Sequence, residues 1–207
     1  MKFEWRKHDK ALYIPKQNPT VIDVGEYPYF TLSGEGNPNS EAFAQAIGVL
    51  YSLSYAVKMS PKRGAAPEGY YDYTVFPLEG IWDLADKSKA DEPLDKDNLK
   101  YKIMIRQPEF LTEALAADTI EYTAKKKPNE LLGNVEFERL SDGLCLQMLH
   151  LGSYDSEPGT FAIMQQFCDD NGYRRIRKSH KEIYLTDARK TAPEKLKTTL
   201  RFEIEKV

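Results

Sequence analysis

Val135-Glu136-Phe137-Glu138-Arg139-Leu140-Ser141-Asp142-Gly143-Leu144-Cys145-Leu146-Gln147-Met148-Leu149-His150 is the stretch whose reading decides the fold. Val135 to Leu140 and Leu144 to His150 read as strands, and Ser141-Asp142-Gly143 between them has turn chemistry. A Gly/Ser/Asp/Pro loop follows. Ser156 then heads a helix with Phe161, Met164, Phe167 and Cys168 on its apolar side, and Asn171-Gly172 stops it. His180 to Leu185 and Thr198 to Glu205 supply two more strands. The N-terminal half repeats this order. Val21 to Val24 and Tyr27 to Ser33 are β-rich runs separated by Gly25-Glu26, which reads as a turn. Gly34 to Asn39 is a loop, and Ser40 is an N-cap for a helix carrying Phe43, Ala46, Ile47, Leu50 and Leu53. After the Pro/Gly-rich segment Pro61 to Gly69, Tyr70 to Pro77 reads as a strand with Leu99 to Arg106 as its antiparallel partner. Pro108 opens a helix through about Tyr122, ended by the lysine run.

The fold class that follows is α+β, with duplicated βαββ units forming an antiparallel sheet about a pseudo-twofold axis and a central ligand cleft at the seam. Residues 1–19 form an N-terminal arm and 20–207 the domain, with repeat halves at about 20–107 and 134–207. The 207 residues are 41% hydrophobic, enough to bury a core, and include 13 Tyr, 9 Phe and 2 Trp. Tyr at that level fits a ring-lined cavity, since its ring is apolar and its hydroxyl still needs a partner.

Charge excludes several functions. The net charge of −3 and the brevity of Lys125-Lys126-Lys127 and of Arg174 to Lys178 argue against direct nucleic-acid binding. No apolar run approaches the ~18 residues of a membrane span, so no membrane partner is expected. Cys145 and Cys168 lie far apart in apolar runs and read as buried filler in a reducing, cytoplasmic setting. His8, His150 and His180 are dispersed, no phosphate-binding glycine loop is present, and neither metal nor cofactor is expected.

The chemistry concentrates in His180-Lys181-Glu182-Ile183-Tyr184-Leu185. Period-2 alternation puts His180, Glu182 and Tyr184 on one face and Lys181, Ile183 and Leu185 on the other. An edge strand with its polar side in water is the plain alternative. If the repeat places Tyr71 and Tyr73 on the same cleft, Glu182 sits among rings, is desolvated, and becomes a usable base or cation partner. In Phe76-Pro77-Leu78-Glu79-Gly80-Ile81-Trp82, Gly80 is expected to turn the chain so that Trp82 folds back as a pocket wall or core plug. Glu79 is expected to satisfy turn N–H groups. Tyr29, Met104 and His150 complete the candidate lining.

These segments together resemble the GyrI-like small-molecule-binding family over about Pro19 to Val207, in its stand-alone branch without a DNA-binding helix-turn-helix. Asp83 departs from the pattern, standing where relatives often carry another aromatic. The resemblance implies that Glu182 matches the buried Glu with which related drug sensors receive apolar, often cationic compounds. Some stand-alone members are similar to hydrolases that open the cyclopropane ring of DNA-alkylating cyclopropanoids. The expectation is therefore a hydrophobic small-molecule ligand or substrate. Glu182 and Tyr184 would be the catalytic pair, and Tyr71, Tyr73, Trp82, Tyr29, Met104 and His150 the ligand contacts. The alternative is a non-catalytic effector-binding or sequestering protein.

Overall fold

The structure, a computed structural model, describes residues 2–89 and 93–207. Its strands are β1 (Thr20–Glu35), β2 (Leu78–Leu84), β3 (Leu99–Arg106), β4 (Glu136–Leu151), β5 (Tyr173–Arg175), β6 (His180–Tyr184) and β7 (Lys197–Lys206). The helices are α1 (Trp5–His8), α2 (Lys10–Tyr13), α3 (Glu41–Lys58), α4 (Glu113–Lys126) and α5 (Glu157–Asn171). Antiparallel strands with helices confirm the α+β class. The chain divides into two compact units that do not follow chain order. One holds Tyr27–Leu78 and Leu84–Leu140. The other holds Trp5–Glu26, Glu79–Asp83 and Ser141–Val207. Among the described residues no helix is long and apolar enough to cross a membrane.

Several sequence expectations need correction. Gly25-Glu26 is not a turn: β1 runs unbroken through it, and Gly25 does not adopt positive φ. Ser141-Asp142-Gly143 is also inside a continuous strand, although Gly143 is left-handed at φ 62°. One such residue within a ladder bends a strand as a bulge does, without reversing it. Tyr70 to Pro77 is not a strand. Apart from an isolated bridge of Tyr73 to Phe3 it has no ladder among the described residues, and the strand begins only at Leu78. The partner of β3 is accordingly β1, with Phe30 opposite Ile105. The fourth helix starts at Glu113 behind Thr112, whose side chain accepts from Leu115 N, and not at Pro108.

In the first unit, Ser40 caps α3 as expected, its hydroxyl accepting from Phe43 N at 3.2 Å. The helix buries Phe43, Ala46, Leu50 and Leu53. Phe43 meets Tyr101 of β3 edge-on at 4.8 Å, and Gln107 bonds the hydroxyl of Ser54.

The second unit is built around β7. β6 pairs with β7 on one side (Glu182 opposite Leu200) and β4 on the other (Met148 opposite Leu200). β2 lies on the far side of β6, with Gly80 opposite Glu182 and Trp82 opposite His180. One sheet face presents Leu146, Met148, Leu200 and Phe202, and α5 covers it with Met164 and Cys168. Gly172, left-handed at φ 68°, ends that helix.

The opposite face is polar yet buried. Lys181 Nζ bonds Asp142 at 2.6 Å and lies 3.4 Å from Glu79, while Arg201 Nη1 bonds the other oxygen of Asp142 at 2.9 Å. Arg201 also reaches Gln147 and the carbonyl of Leu12. Burial opposes the charge of Asp142, but Lys181 and Arg201 overcome it and hold the carboxyl below its ordinary range. Glu79 shifts the other way, because its complete burial outweighs the help from Lys181. Glu79 therefore serves no turn: it stands extended in β2, 1% exposed, under the same sheet that carries the candidate site.

Candidate functional site

Alternation along β6 delivers His180, Glu182 and Tyr184 to the face covered by α5. β6 is not an edge strand, being paired on both sides, so its polar face is not simply a solvated one. Glu182 is 9% exposed. Its Oε1 lies 3.0 Å from His180 Nε2. Trp82 Nε1 donates to the Tyr184 hydroxyl at 2.7 Å, and that hydroxyl in turn has the Glu182 carboxylate as its acceptor. Trp82, Tyr184 and Glu182 are thus one hydrogen-bonded line. Gly80 contributes by being extended opposite Glu182, not by turning the chain, and Trp82 sits within β2.

The residue that the sequence reading missed is Glu157. It opens α5, is 6% exposed, and its Oε1 has no hydrogen-bond partner among the described residues. Glu157, His180 and Glu182 each bring one ligand atom within 4.8 Å of the others. Burial first, then the charge and hydrogen bond of the facing Glu182, drive the Glu157 carboxyl far above its ordinary range. The positive end of α5 opposes this, but at 0.3–1 kcal/mol for a typical site it is the smaller effect. At neutral pH the Glu157 carboxyl therefore keeps its proton. The three residues could also hold a divalent cation, which would have to displace that proton. Dispersal of the histidines in sequence hid this grouping, since two of its members are carboxylates.

Rings surround the pair. Tyr154, in the turn before α5, meets Tyr184 edge-on at 6.0 Å. Its hydroxyl is pushed up to about 12 by burial and by the Glu182 and Glu157 charges. Burial and the Glu182 charge hold the Tyr184 hydroxyl well above its ordinary value. Both phenols are therefore donors at neutral pH. Phe161 packs edge-on against His180 at 4.7 Å.

His150 is buried, with Nδ1 on Thr160 at 2.8 Å and Nε2 on the Ser153 carbonyl at 3.0 Å and Ser156 Oγ at 3.1 Å. It fastens the turn that carries Tyr154 and Glu157. Ser156 consequently does not cap α5 with its hydroxyl, which goes to His150 and Ser153. The other sequence candidates lie in the first unit. Tyr73 is buried and meets Tyr71 edge-on at 6.3 Å, Tyr29 is buried in β1, and Met104 is fully buried in β3 opposite Thr31. Cys145 and Cys168 are buried free thiols, and burial pushes Cys145 up to about 12.

With this geometry in hand, the chain can be placed among known proteins. The GyrI-like small molecule binding domain matches residues 17–205. A crystal structure of a hydrolase from Listeria innocua is 34% identical, with a TM-score of 0.89, covering 98% of this chain and 100% of that one. An uncharacterized conserved protein of the same organism is 36% identical at a TM-score of 0.91, covering 98% and 100%. A further structure of a Listeria innocua hydrolase is 35% identical at 0.91, covering 99% and 100%. The C-terminal domain of EcmrR, 16% identical at a TM-score of 0.56, shares the fold alone. No curated protein sequence matches the chain. The chain belongs to the GyrI-like small-molecule-binding family.

Proposed function

We propose that this member of the GyrI-like family binds flat, apolar electrophiles and hydrolyses strained cyclopropanoids, detoxifying DNA-alkylating compounds in the cytoplasm. The observation that carries the reading is the buried carboxyl pair, Glu157 facing Glu182 within 4.8 Å beside aromatic rings, with the Glu157 carboxyl raised by burial and by Glu182. Two titratable groups whose surroundings separate their protonation states mark an acid and a base. The description of two structures at 34% and 35% identity as hydrolases supports a hydrolytic role.

In this reading Trp82, Tyr154 and Tyr184 hold the ring system, each aromatic contact contributing about 0.5–1.5 kcal/mol beyond area burial. Glu182 takes a proton from water while the water oxygen bonds to a cyclopropane carbon. The strained carbon–carbon bond breaks, and its electron pair passes through the conjugated system to the carbonyl oxygen. That oxygen, now an aryloxide, is stabilised by a Tyr hydroxyl and receives the proton of Glu157. The product is the substrate plus one water. Proton transfer across the facing carboxyls restores the starting state, so no external proton donor is required. Positioned acid–base catalysis of this kind supplies about 10²–10⁴-fold, sufficient where ring strain already drives the reaction.

The test is mass spectrometry of a spirocyclopropyl dienone incubated with substoichiometric protein. A water adduct in excess over protein is the expected result, and Glu182→Gln should keep binding while losing most turnover. Parent-rate hydrolysis by that variant would refute the mechanism. A second reading, sequestration or effector binding without chemistry, is favoured by the family's small-molecule-binding character. It predicts bound, unchanged compound at one equivalent or less.

A further inference from the structure

His180 is the third member of the cluster and has no part in the acid–base steps just described. Its Nε2 lies 3.0 Å from Glu182 Oε1, two residues along the same strand face. With Glu182 as the base, its carboxylate accepts in that contact and Nε2 of His180 is the donor. The imidazole is itself held. Phe161 of α5 meets it edge-on at 4.7 Å with the planes 65° apart. The loop leading into it is fastened by Arg175, whose guanidinium donates to the carbonyls of Arg177, Lys178 and Ser179. That guanidinium also sits over the Phe202 ring at 4.4 Å. Restraint thus passes from Arg175 through the loop to His180 and on to one oxygen of Glu182.

The plain alternative is an incidental neighbour contact between two polar residues. Against it, β6 is paired on both sides, Glu182 is nearly buried, and the His180 side chain keeps only 23% of its exposure. A carboxylate on a two-torsion stem has several rotamers in an open site. Here Oε1 is committed to His180, which fixes the direction of the carboxylate plane toward Glu157.

We propose that His180 is a positioning residue for the base: its Nε2–H pins Oε1 of Glu182 and so fixes the carboxylate that takes the proton of the attacking water. This rests on the reading of Glu182 as the base. A base displaced by about an ångström loses up to about 10²-fold in rate. His180→Leu should therefore lower kcat about 10- to 100-fold with KM within about twofold, since the rings that bind substrate are untouched. His180→Gln, whose amide can donate to the same oxygen, should recover most of that loss.

The measurement compares parent, His180→Leu, His180→Gln and Glu182→Gln on the same spirocyclopropyl dienone, with thermal melts as a fold control. A parent-like kcat in His180→Leu overturns the inference while leaving the base reading intact, provided Glu182→Gln is inactive. A raised KM at unchanged kcat, or a Gln variant as poor as the Leu variant, also overturns it. Parent-rate turnover by Glu182→Gln removes the base reading and this inference with it. A substrate-free arm uses 15N-histidine NMR of the intact protein. The Nε2–H tautomer at His180 is expected, and the Nδ1–H tautomer would defeat the proposal whatever the turnover.

Discussion

Replacing Glu157 by Gln removes the proton that the folded protein is forced to keep, and the effect should be visible in stability before any substrate is added. The Glu157 carboxyl is raised by burial and by the facing Glu182, so between the unfolded value near pH 4–5 and its folded value the native state binds one more proton than the unfolded chain. Stability therefore falls as pH rises through that window, by about 1.4 kcal/mol per pH unit for one proton. The count stays at one whichever carboxyl of the pair holds the proton. From pH 5.5 to 7.5 the parent should lose about 2.7 kcal/mol from this source. Glu157→Gln keeps a donor toward Glu182 but has nothing to titrate. Glu79, also raised by burial, acts in the same direction but is common to both proteins and cancels in the difference. Urea unfolding followed by tryptophan fluorescence is the assay, because Trp5 and Trp82, the two tryptophans, both lie in the unit that carries the pair. The advantage of Glu157→Gln over parent should widen by about 2–3 kcal/mol across those two pH units. Parallel curves of stability against pH would show that the pair shares no retained proton, and the acid–base assignment would fall with it.

On the other sheet face the sign reverses. Asp142, held low by Lys181 and Arg201 after burial is overcome, adds stability that is present above the unfolded carboxylate value and disappears as pH falls through the folded one. Asp142→Asn should flatten that acid limb and cost about 3–5 kcal/mol at neutral pH, since two buried cations lose their shared partner. Tyr184→Phe leaves Trp82 Nε1 without its 2.7 Å acceptor. It should destabilise by about 1–3 kcal/mol and red- or blue-shift the Trp82 emission, while an unchanged spectrum would contradict the hydrogen bond. Chelation with EDTA should leave turnover at the parent level, and excess Mn²⁺ or Zn²⁺ should inhibit it by competing for Glu157, His180 and Glu182. Activation by either ion would favour a metal-bound water over Glu182 as the source of the nucleophile.

The sequence made the site strand legible because period 2 is a property of the chain alone. His180, Glu182 and Tyr184 had to share a face once β6 formed. Glu157 was invisible for a related reason. A Glu in the first turn of a helix ahead of a proline is ordinary helix-start chemistry, and only the tertiary seating of α5 over the sheet turns it toward Glu182. Two of the errors in the fold came from glycines. Gly25 and Gly143 look like hairpin turns because glycine permits a turn, yet β1 and β4 each run through their glycine as one continuous strand. The shift of β2 from Tyr70 to Leu78 had the same origin in reverse. Aromatic β-formers from Tyr70 to Phe76 suggested a strand, whereas the ladder is built by Leu78-Glu79-Gly80-Ile81-Trp82, where Gly80 can stand opposite Glu182.

The two faces of β6 explain why such a strained pair persists. Beneath the strand, Lys181 and Arg201 share the carboxylate of Asp142, with Glu79 3.4 Å from Lys181. Above it, burial and the facing Glu182 hold the Glu157 carboxyl protonated, an arrangement that opposes folding at neutral pH and that a hydrophobic or amide side chain would relieve. The proposed function gives this residue set, which costs stability, a role that packing alone does not. The ion-pair network below offsets part of that cost by locking the register of β2, β6 and β7. Register is the quantity the site depends on: a slip of one residue would send Glu182 to the Lys181 side, where it would be an ordinary ion-pair partner with no acid to face.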